Sequence, residues 1–600
     1  MSRIRTGAVV AVAAVLFAAC QGSASTPAPT TAPTAAPSAA ESTAPSAAPS
    51  AAIKEGGTLV VAIPGDIKRT DSALVDDSNS SYVFANVMEG LVGLEPGSTS
   101  KLKPVLAKSW TVSPDGKTYT FELQEGVKFH DGTDFNADAV KYNYDRWTSF
   151  PKELQDYTYY AGTVLGQGDT SNVASVTVNS PTEVVITLKQ PNSSFLLSQT
   201  LPQFGIASPT ALKAGKADNT ETDISKITYA QGGPPALVGT GPFKFDSWVK
   251  GSEVDIVKNA DYWDTANAAH LDKVVFKPVA DETAILNGLQ AGDIDLAQKV
   301  SPVDIANIKT NPALSVIDRG DSCNLFQLGI NQAYTEDQAL ALGQEKPKAP
   351  ATLGHTPAPA NNAKILDNPK IRQAIMYAID RQGLVDAFYA GQAKTADNWM
   401  PLNTQYAKAL NLPTYDPDKA KQLIADSGIA ASDLVIDFWY PSDVTRPYMP
   451  DPKGIFEAIS KNLEDVGFKI NPHTDTWSPT YLDNEYAGKY EMWEIGWTCD
   501  WAGPDNFLKT AMFGYVNGKP STEFAYKNDE LDKTMNDALA ATDEATAASL
   551  WGKAQDMIAA DLPSIPIINS TPPAVSQSYV KGFVGAGNLE ELLNSVWLDK

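Results

Sequence analysis

Residues 25–52, STPAPTTAPTAAPSAAESTAPSAAPSAA, hold no large apolar side chain. Such a segment cannot bury enough surface to offset the entropy of ordering it, so an extended, disordered tether is expected there. About thirty residues near polyproline geometry reach roughly 90 Å. Any packed body must therefore be built from the residues that follow. A chain of 600 residues is too long for one simple core, so two or three domains are expected.

The tether is preceded by an export-like sequence. MSRIR is a short basic region, GAVVAVAAVLFAA is a run of 13 apolar or small residues, and Cys20 follows. Thirteen helical residues span roughly 20 Å, short of a bilayer core, so residues 1–19 read as a signal peptide. Ala18-Ala19-Cys20 resembles a bacterial lipobox, although Phe17 stands where that motif prefers leucine. Cys20 is the expected lipid anchor; the alternative is a signal peptide cut elsewhere and an unmodified thiol. Residues 20–53 then form anchor and tether, and residues 54–600 the folded body. The location expected is extracytoplasmic, on the outer face of the cell membrane or in the periplasm. Cys323 and Cys499 are the remaining cysteines. In an exported chain they either pair or stay as two separate buried thiols.

Composition narrows the function. The chain is 43% hydrophobic and 20% charged, as soluble globular proteins are, and its net charge is −24. Such a charge repels nucleic acid and anionic lipid. The histidines are His130, His270, His355 and His473, and no two stand at metal-ligand spacing. HExxH, GxSxG and Walker sequences are absent from the sequence. No metal and no cofactor are expected, and the chain reads as a binder. The enzyme alternative is a secreted hydrolase working with carboxylates alone.

Strand and helix signals alternate along the body, giving an α/β class. GGTLVVAIPGD reads as a buried strand, and WTVSPDGKTYTFEL as a hairpin around Ser-Pro-Asp-Gly. FNADAVKYNYDRW is a helix with Asn136 as N-cap. NPKIRQAIMYAIDRQGLVDAFYAG reads as one helix, with Ile371, Ile375 and Ile379 on one face. DPDKAKQLIADSG is a helix capped by Asp416, with Pro417 first and Gly428 last. ELDKTMNDALAATDEATAASLWGKAQDMIAADL is helical, and residues 333–363 read as a long surface loop.

Six stretches, in order, resemble the family 5 extracellular solute-binding proteins, the receptors of ABC importers for peptides, nickel and related solutes. They are GGTLVVAIPGD, FHDGTDFNADAVKYNYDR (129–146), VGTGPFKF (238–245), NPKIRQAIMYAIDRQGLV (368–385), YDPDKAKQLIADSG (415–428) and GWTCDWAGPDNF (496–507). The resemblance covers nearly the whole mature chain. It implies a two-lobed, three-domain periplasmic-binding-protein-like fold (type II, large peptide-binding class). Lobe I is expected at about residues 54–325 plus 575–600, with a subdomain at about 96–234, and lobe II at about 326–574.

The resemblance also assigns a site. RPYMP (446–450) is similar to the dipeptide-binding branch, in which that arginine holds the ligand's carboxylate and the aspartate of a GW-T-x-D sequence holds its ammonium. Those positions are Arg446 and Asp500. A guanidinium is a planar fork suited to a carboxylate. The charged ends of an extended dipeptide lie roughly 7 Å apart, so two fixed charges measure length. The plain alternatives are a surface salt bridge from Arg446 to Asp443 or Asp451, and an Asx turn at Asp500. Trp477, Trp501 and Tyr448 are expected to line the pocket, and Asn324 to touch the ligand backbone. Cys499 and the WAG that follows Asp500 depart from the branch; a Cys323–Cys499 disulfide would tie the crossing strands together. The function implied is capture of a short peptide, most simply a dipeptide, by lobe closure. Delivery is to an ABC permease whose ATPase is another chain. The receptor is expected to be a monomer, held at the membrane only by its lipid, with no nucleic-acid partner. The same receptor with a nickel chelate, haem, glutathione or an oligosaccharide is the alternative.

Overall fold

Two large sheets organise the chain, and each is assembled from segments far apart in sequence. The structure is a computed structural model that describes residues 52–320, 322–332, 363–515, 518–521 and 523–600. Residues 1–51 and 333–362, on which the expected signal peptide, lipid anchor, nearly all of the expected tether and the expected loop fall, lie outside the described residues. Residues 53–600 form one unit.

The first sheet has seven strands, with Thr58–Ile63 near its centre. That strand runs parallel to Lys273–Pro278 on one side and to Leu296–Ala297 on the other. Its flanking Gly-Gly and Pro-Gly pairs mark both ends, as the sequence predicts. Ala574–Gln577, from near the C-terminus, inserts between Leu296–Ala297 and Leu314–Ile317. A four-stranded antiparallel sheet is attached, built from Ala107–Val112, Thr118–Leu123, Val173–Ser180 and Glu183–Leu188. Its first hairpin turns at Ser113-Pro114-Asp115-Gly116, where Gly116 takes φ +68° and donates to the Ser113 carbonyl.

The second large sheet has six strands, in the order 393–395, 565–570, 324–330, 492–498, 435–441 and 469–475. Asn324–Ile330 is buried at all seven positions because it is paired on both edges and covered on both faces. Helix Pro452–Asp465 packs on strands Val435–Pro441 and Lys469–Asp475 with Ile455, Ile459 and Leu463 turned inward. The chain passes between the two large sheets at residues 318–323 and again at 571–573.

Two helices foreseen as continuous are broken. Pro369–Ala378 stops at Ile379, whose ψ of 120° is extended, and Asp380 caps a second helix, Arg381–Phe388, by accepting from Gly383 N at 2.9 Å. Likewise Asp529–Leu539 ends before Asp543, which caps Glu544–Asp561. In both places an aspartate side chain offers the backbone an alternative partner, and helical periodicity alone does not reveal it. The helix Pro417–Ser427 keeps the caps read from sequence, Asp416 before it and Gly428 after it at φ +76°.

The passage at 318–323 is pinned. Arg319 and Glu591 form an ion pair with both side chains fully buried. The same guanidinium donates to the Gln298 carbonyl at 2.9 Å and to the Pro572 carbonyl, on the return passage, at 2.8 Å.

Candidate functional site: a charged cleft between two sheets

A cavity of about 410 Å³ opens between the two large sheets. Arg446, Tyr448, Trp477 and Asp500 reach it from the six-stranded side, and Tyr160, Lys299 and Glu590 from the other. Contacts cross the cleft around it. The Tyr160 hydroxyl donates to Asp500 Oδ1 at 2.9 Å, the Ser194 hydroxyl to Asp505 at 2.6 Å, and Lys299 Nζ to the Thr445 hydroxyl.

Arg446 follows the strand Val435–Pro441 in a tight turn, in which its backbone N–H and C=O both bond to Met449 at 2.9 Å. Its guanidinium carbon lies 5.2 Å from the Trp477 ring centroid and 6.0 Å from that of Tyr448. Nε is buried and has no hydrogen-bond partner. The two acids that would have made it an ordinary surface cation are engaged elsewhere. Asp443 accepts from Trp477 N at 2.7 Å, and Asp451 caps the helix Pro452–Asp465 through Gly454 N at 3.0 Å. Among the described residues Arg446 has no ion-pair partner. Gly496 makes the neighbouring wall possible: a side chain there would collide with the Tyr448 ring. Lys299, nearby, pairs with Glu282 at 2.9 Å. Burial lowers its pKa, the Glu282 carboxylate opposes that, and the Arg446 charge adds to the lowering.

Asp500 stands just beyond the strand Met492–Thr498. Asn506 clamps it, donating to Oδ2 at 3.0 Å and accepting from the Asp500 N–H at 3.0 Å. The carboxyl thus faces side chains from both sides of the cleft and forms no Asx turn. Burial raises it to about 6, against the two hydrogen bonds it accepts. Glu590 lies within electrostatic reach. Burial, then the charges of Asp500 and Glu591, push it up to about 8. Neither acid has a basic partner among the described residues.

Four of the anticipated ligand residues, Arg446, Asp500, Trp477 and Tyr448, therefore line one cavity. Trp501 and Asn324 do not. Trp501 is 4% exposed, packs into the core of the opposite lobe, and donates from Nε1 to Asp505 at 3.1 Å. Asn324 is fully buried; its amide donates to the Ser570 carbonyl at 3.2 Å and accepts from the Thr498 hydroxyl at 2.6 Å. It braces three strands against one another. Cys323 and Cys499 are joined in a disulfide, with Cα atoms 5.3 Å apart. The bond does not tie the two crossing segments together. It extends the ladder by one pair beyond Asn324↔Thr498, within one sheet. Tyr160, Lys299 and Glu590 were missed because each comes from a segment with no motif of its own. Their role arises only when the cleft is assembled.

Two lobes enclosing a charged cleft, joined by two crossing segments, define a bilobal solute receptor. Residues 101–519 match the family described as bacterial extracellular solute-binding proteins, family 5 Middle. The chain belongs to that family and is the solute-binding component of an ABC importer, working with a permease. It is 30% identical to "Heme-binding protein A" of Haemophilus influenzae, over 85% of this chain and 86% of that one. It is also 30% identical to "Glutathione-binding protein GsiB" of Escherichia coli K12, over 88% and 91%. Among solved structures it is similar to the periplasmic binding protein DppA of Helicobacter pylori in complex with the peptide STSA. There the TM-score is 0.71 at 26% identity, covering 91% of this chain and 99% of that one. Family 5 proteins are binding proteins of the extracytoplasmic space. Among the described residues no helix is long and apolar enough to cross a membrane.

Proposed function

We propose that the chain captures a short zwitterionic peptide, most simply a dipeptide. The ligand's carboxylate would sit on Arg446 and its ammonium against Asp500 and Glu590. One observation carries the reading. A single cavity offers a guanidinium that, among the described residues, has no ion-pair partner and, separately, two carboxyls that have no basic partner there. Leaving either set unmatched in a closed cleft is unfavourable, and a zwitterion matches both. The lobes would close around the ligand and present it to the permease. Glutathione is the second reading. It is peptide-like, carries one ammonium and two carboxylates, and Lys299 beside Arg446 supplies a second cation.

Calorimetry on the full chain, unfolded and refolded to strip bound ligand, tests this. Free dipeptides, N-acetyl dipeptides, tri- and pentapeptides and glutathione would be titrated in turn. Dipeptide binding is expected to weaken by at least about thirtyfold on acetylation and in Arg446→Ala. Binding indifferent to length and acetylation would overturn the peptide reading. Glutathione binding far tighter than any dipeptide would select the second one.

Cys20 is proposed as the lipid anchor and residues 25–52 as the tether of a monomeric receptor. The order of basic, apolar and small residues before the cysteine supports it. Cys20→Ser is expected to move the protein from the membrane to the soluble fraction. An unchanged distribution would remove the anchor.

A further inference from the structure

Two carboxyls in the cavity wall have no part in holding the peptide's ends. Glu485 lies on the short helix Leu482–Tyr486, and Glu523 follows the segment that ends at 521; both line the cavity. Glu485 is 2% exposed. Its Oε1 accepts from Trp493 Nε1 at 2.8 Å, and Oε2 receives no hydrogen bond from a donor group. The group that faces it is the Glu523 carboxyl. No lysine, arginine or histidine pairs with either acid among the described residues. Of the cavity's own cations, Lys68 pairs with Asp76 at 2.6 Å and Lys299 with Glu282, and Arg446, over Trp477 and Tyr448, is the one the peptide reading gives to the ligand's carboxylate.

Burial raises both acids above the ordinary carboxylate range, and for Glu523 the nearby Glu485 carboxyl adds to the rise. Trp493 needs only one acceptor, which a glutamine would supply equally well. Two acids pressed together repel once ionised, and a cation entering from the cavity relieves that repulsion. Position selects which part of the ligand brings it. The Tyr448 side chain interacts with both Arg446 and Glu485, which puts Glu485 on the Arg446 side of the cavity, while Glu523 also acts on Tyr159, a neighbour of Asp500. The Asp500 carboxylate takes its hydrogen bonds from Tyr160 and Asn506 and makes none with Glu485 or Glu523. Tyr448 and Tyr486 also line this wall and suit the aliphatic stem of a long basic side chain.

We infer that Glu485 and Glu523 form a side-chain subsite that takes the ammonium or guanidinium of a basic residue at the C-terminal position of the bound peptide. This rests on the peptide reading, with the ligand's carboxylate on Arg446.

The test is calorimetry on the ligand-stripped full chain with Ala-Lys, Ala-norleucine and Lys-Ala. Norleucine has the lysine carbon chain without its charge. Ala-Lys is expected to bind at least about tenfold tighter than Ala-norleucine. In Glu485→Gln/Glu523→Gln that preference should vanish while Ala-norleucine affinity is retained. Should the double variant fail to fold, Glu523→Gln alone leaves the Trp493 contact in place and is expected to reduce the preference. Equal binding of Ala-Lys and Ala-norleucine overturns the subsite and leaves the peptide reading standing. So does a preference that survives the substitutions, or one carried by Lys-Ala instead. Absence of binding by all three dipeptides overturns both.

Discussion

As the proposed partner of a ligand ammonium, Asp500 would have opposite preferences in the empty and the filled cleft, and that difference is measurable. Its carboxyl is raised from an ordinary 3.8 to about 6 by burial, so the empty receptor favours the protonated form. The stability it contributes is therefore full below about pH 4 and lost as pH rises through 6. Glu590, raised from 4.5 to about 8, extends the loss upward. Ligand-free protein is expected to melt at progressively lower temperature from pH 4 to 8, and Asp500→Asn to flatten the lower half of that profile. Affinity has the reverse slope. An ammonium needs the charged carboxylate, so dipeptide binding should strengthen by about tenfold in all between pH 5 and 7, most of it below pH 6. Calorimetry across that range checks it, and a flat profile would exclude Asp500 as the ammonium's partner. That Arg446 and Asp500 share one cavity was legible because each sits in a short recognisable sequence. Glu590, Glu485 and Glu523 were not, since burial and mutual approach define them, and neither is written locally. Trp501 and Asn324 stand beside site residues in sequence, yet their side chains turn into the packed core and the strand ladder.

Among elements, those closed by local chemistry were read correctly. The helix at 417–427 and the hairpin turn at 113–116 follow from caps and turn residues within a few positions. Helix 369–388 was read as continuous because its apolar spacing carries past Asp380. Sheet order was not legible at all. Nothing in AVSQ, 574–577, indicates that it inserts beside Leu296–Ala297. The Cys323–Cys499 pair acts at this scale. It staples two strands at the end of their ladder and fixes the residue immediately before Asp500. Replacing both cysteines by alanine is expected to cost up to about 5 kcal/mol in urea unfolding, since 176 residues separate them. It should also weaken dipeptide binding, because Asp500 loses its anchored neighbour. Unchanged affinity would show that Asn506 alone positions the carboxyl.

For the whole molecule, the arrangement around Arg319 sets where the lobes can move. The guanidinium fastens the outgoing passage, the returning passage at Pro572 and the C-terminal segment at Glu591 together on the seven-stranded side. On the other side, the Ser322 hydroxyl donates to the Ser570 carbonyl at 2.6 Å and ties the same two passages to the six-stranded sheet. Only the stretch from Arg319 to Ser322, with Gly320 at φ +72°, and the residues between Ser570 and Pro572 remain between these two clasps. The molecule is therefore built like a purse whose two jaws share one short axle. Lobe closure, as proposed, would bend the chain at these few residues and leave each sheet as it is.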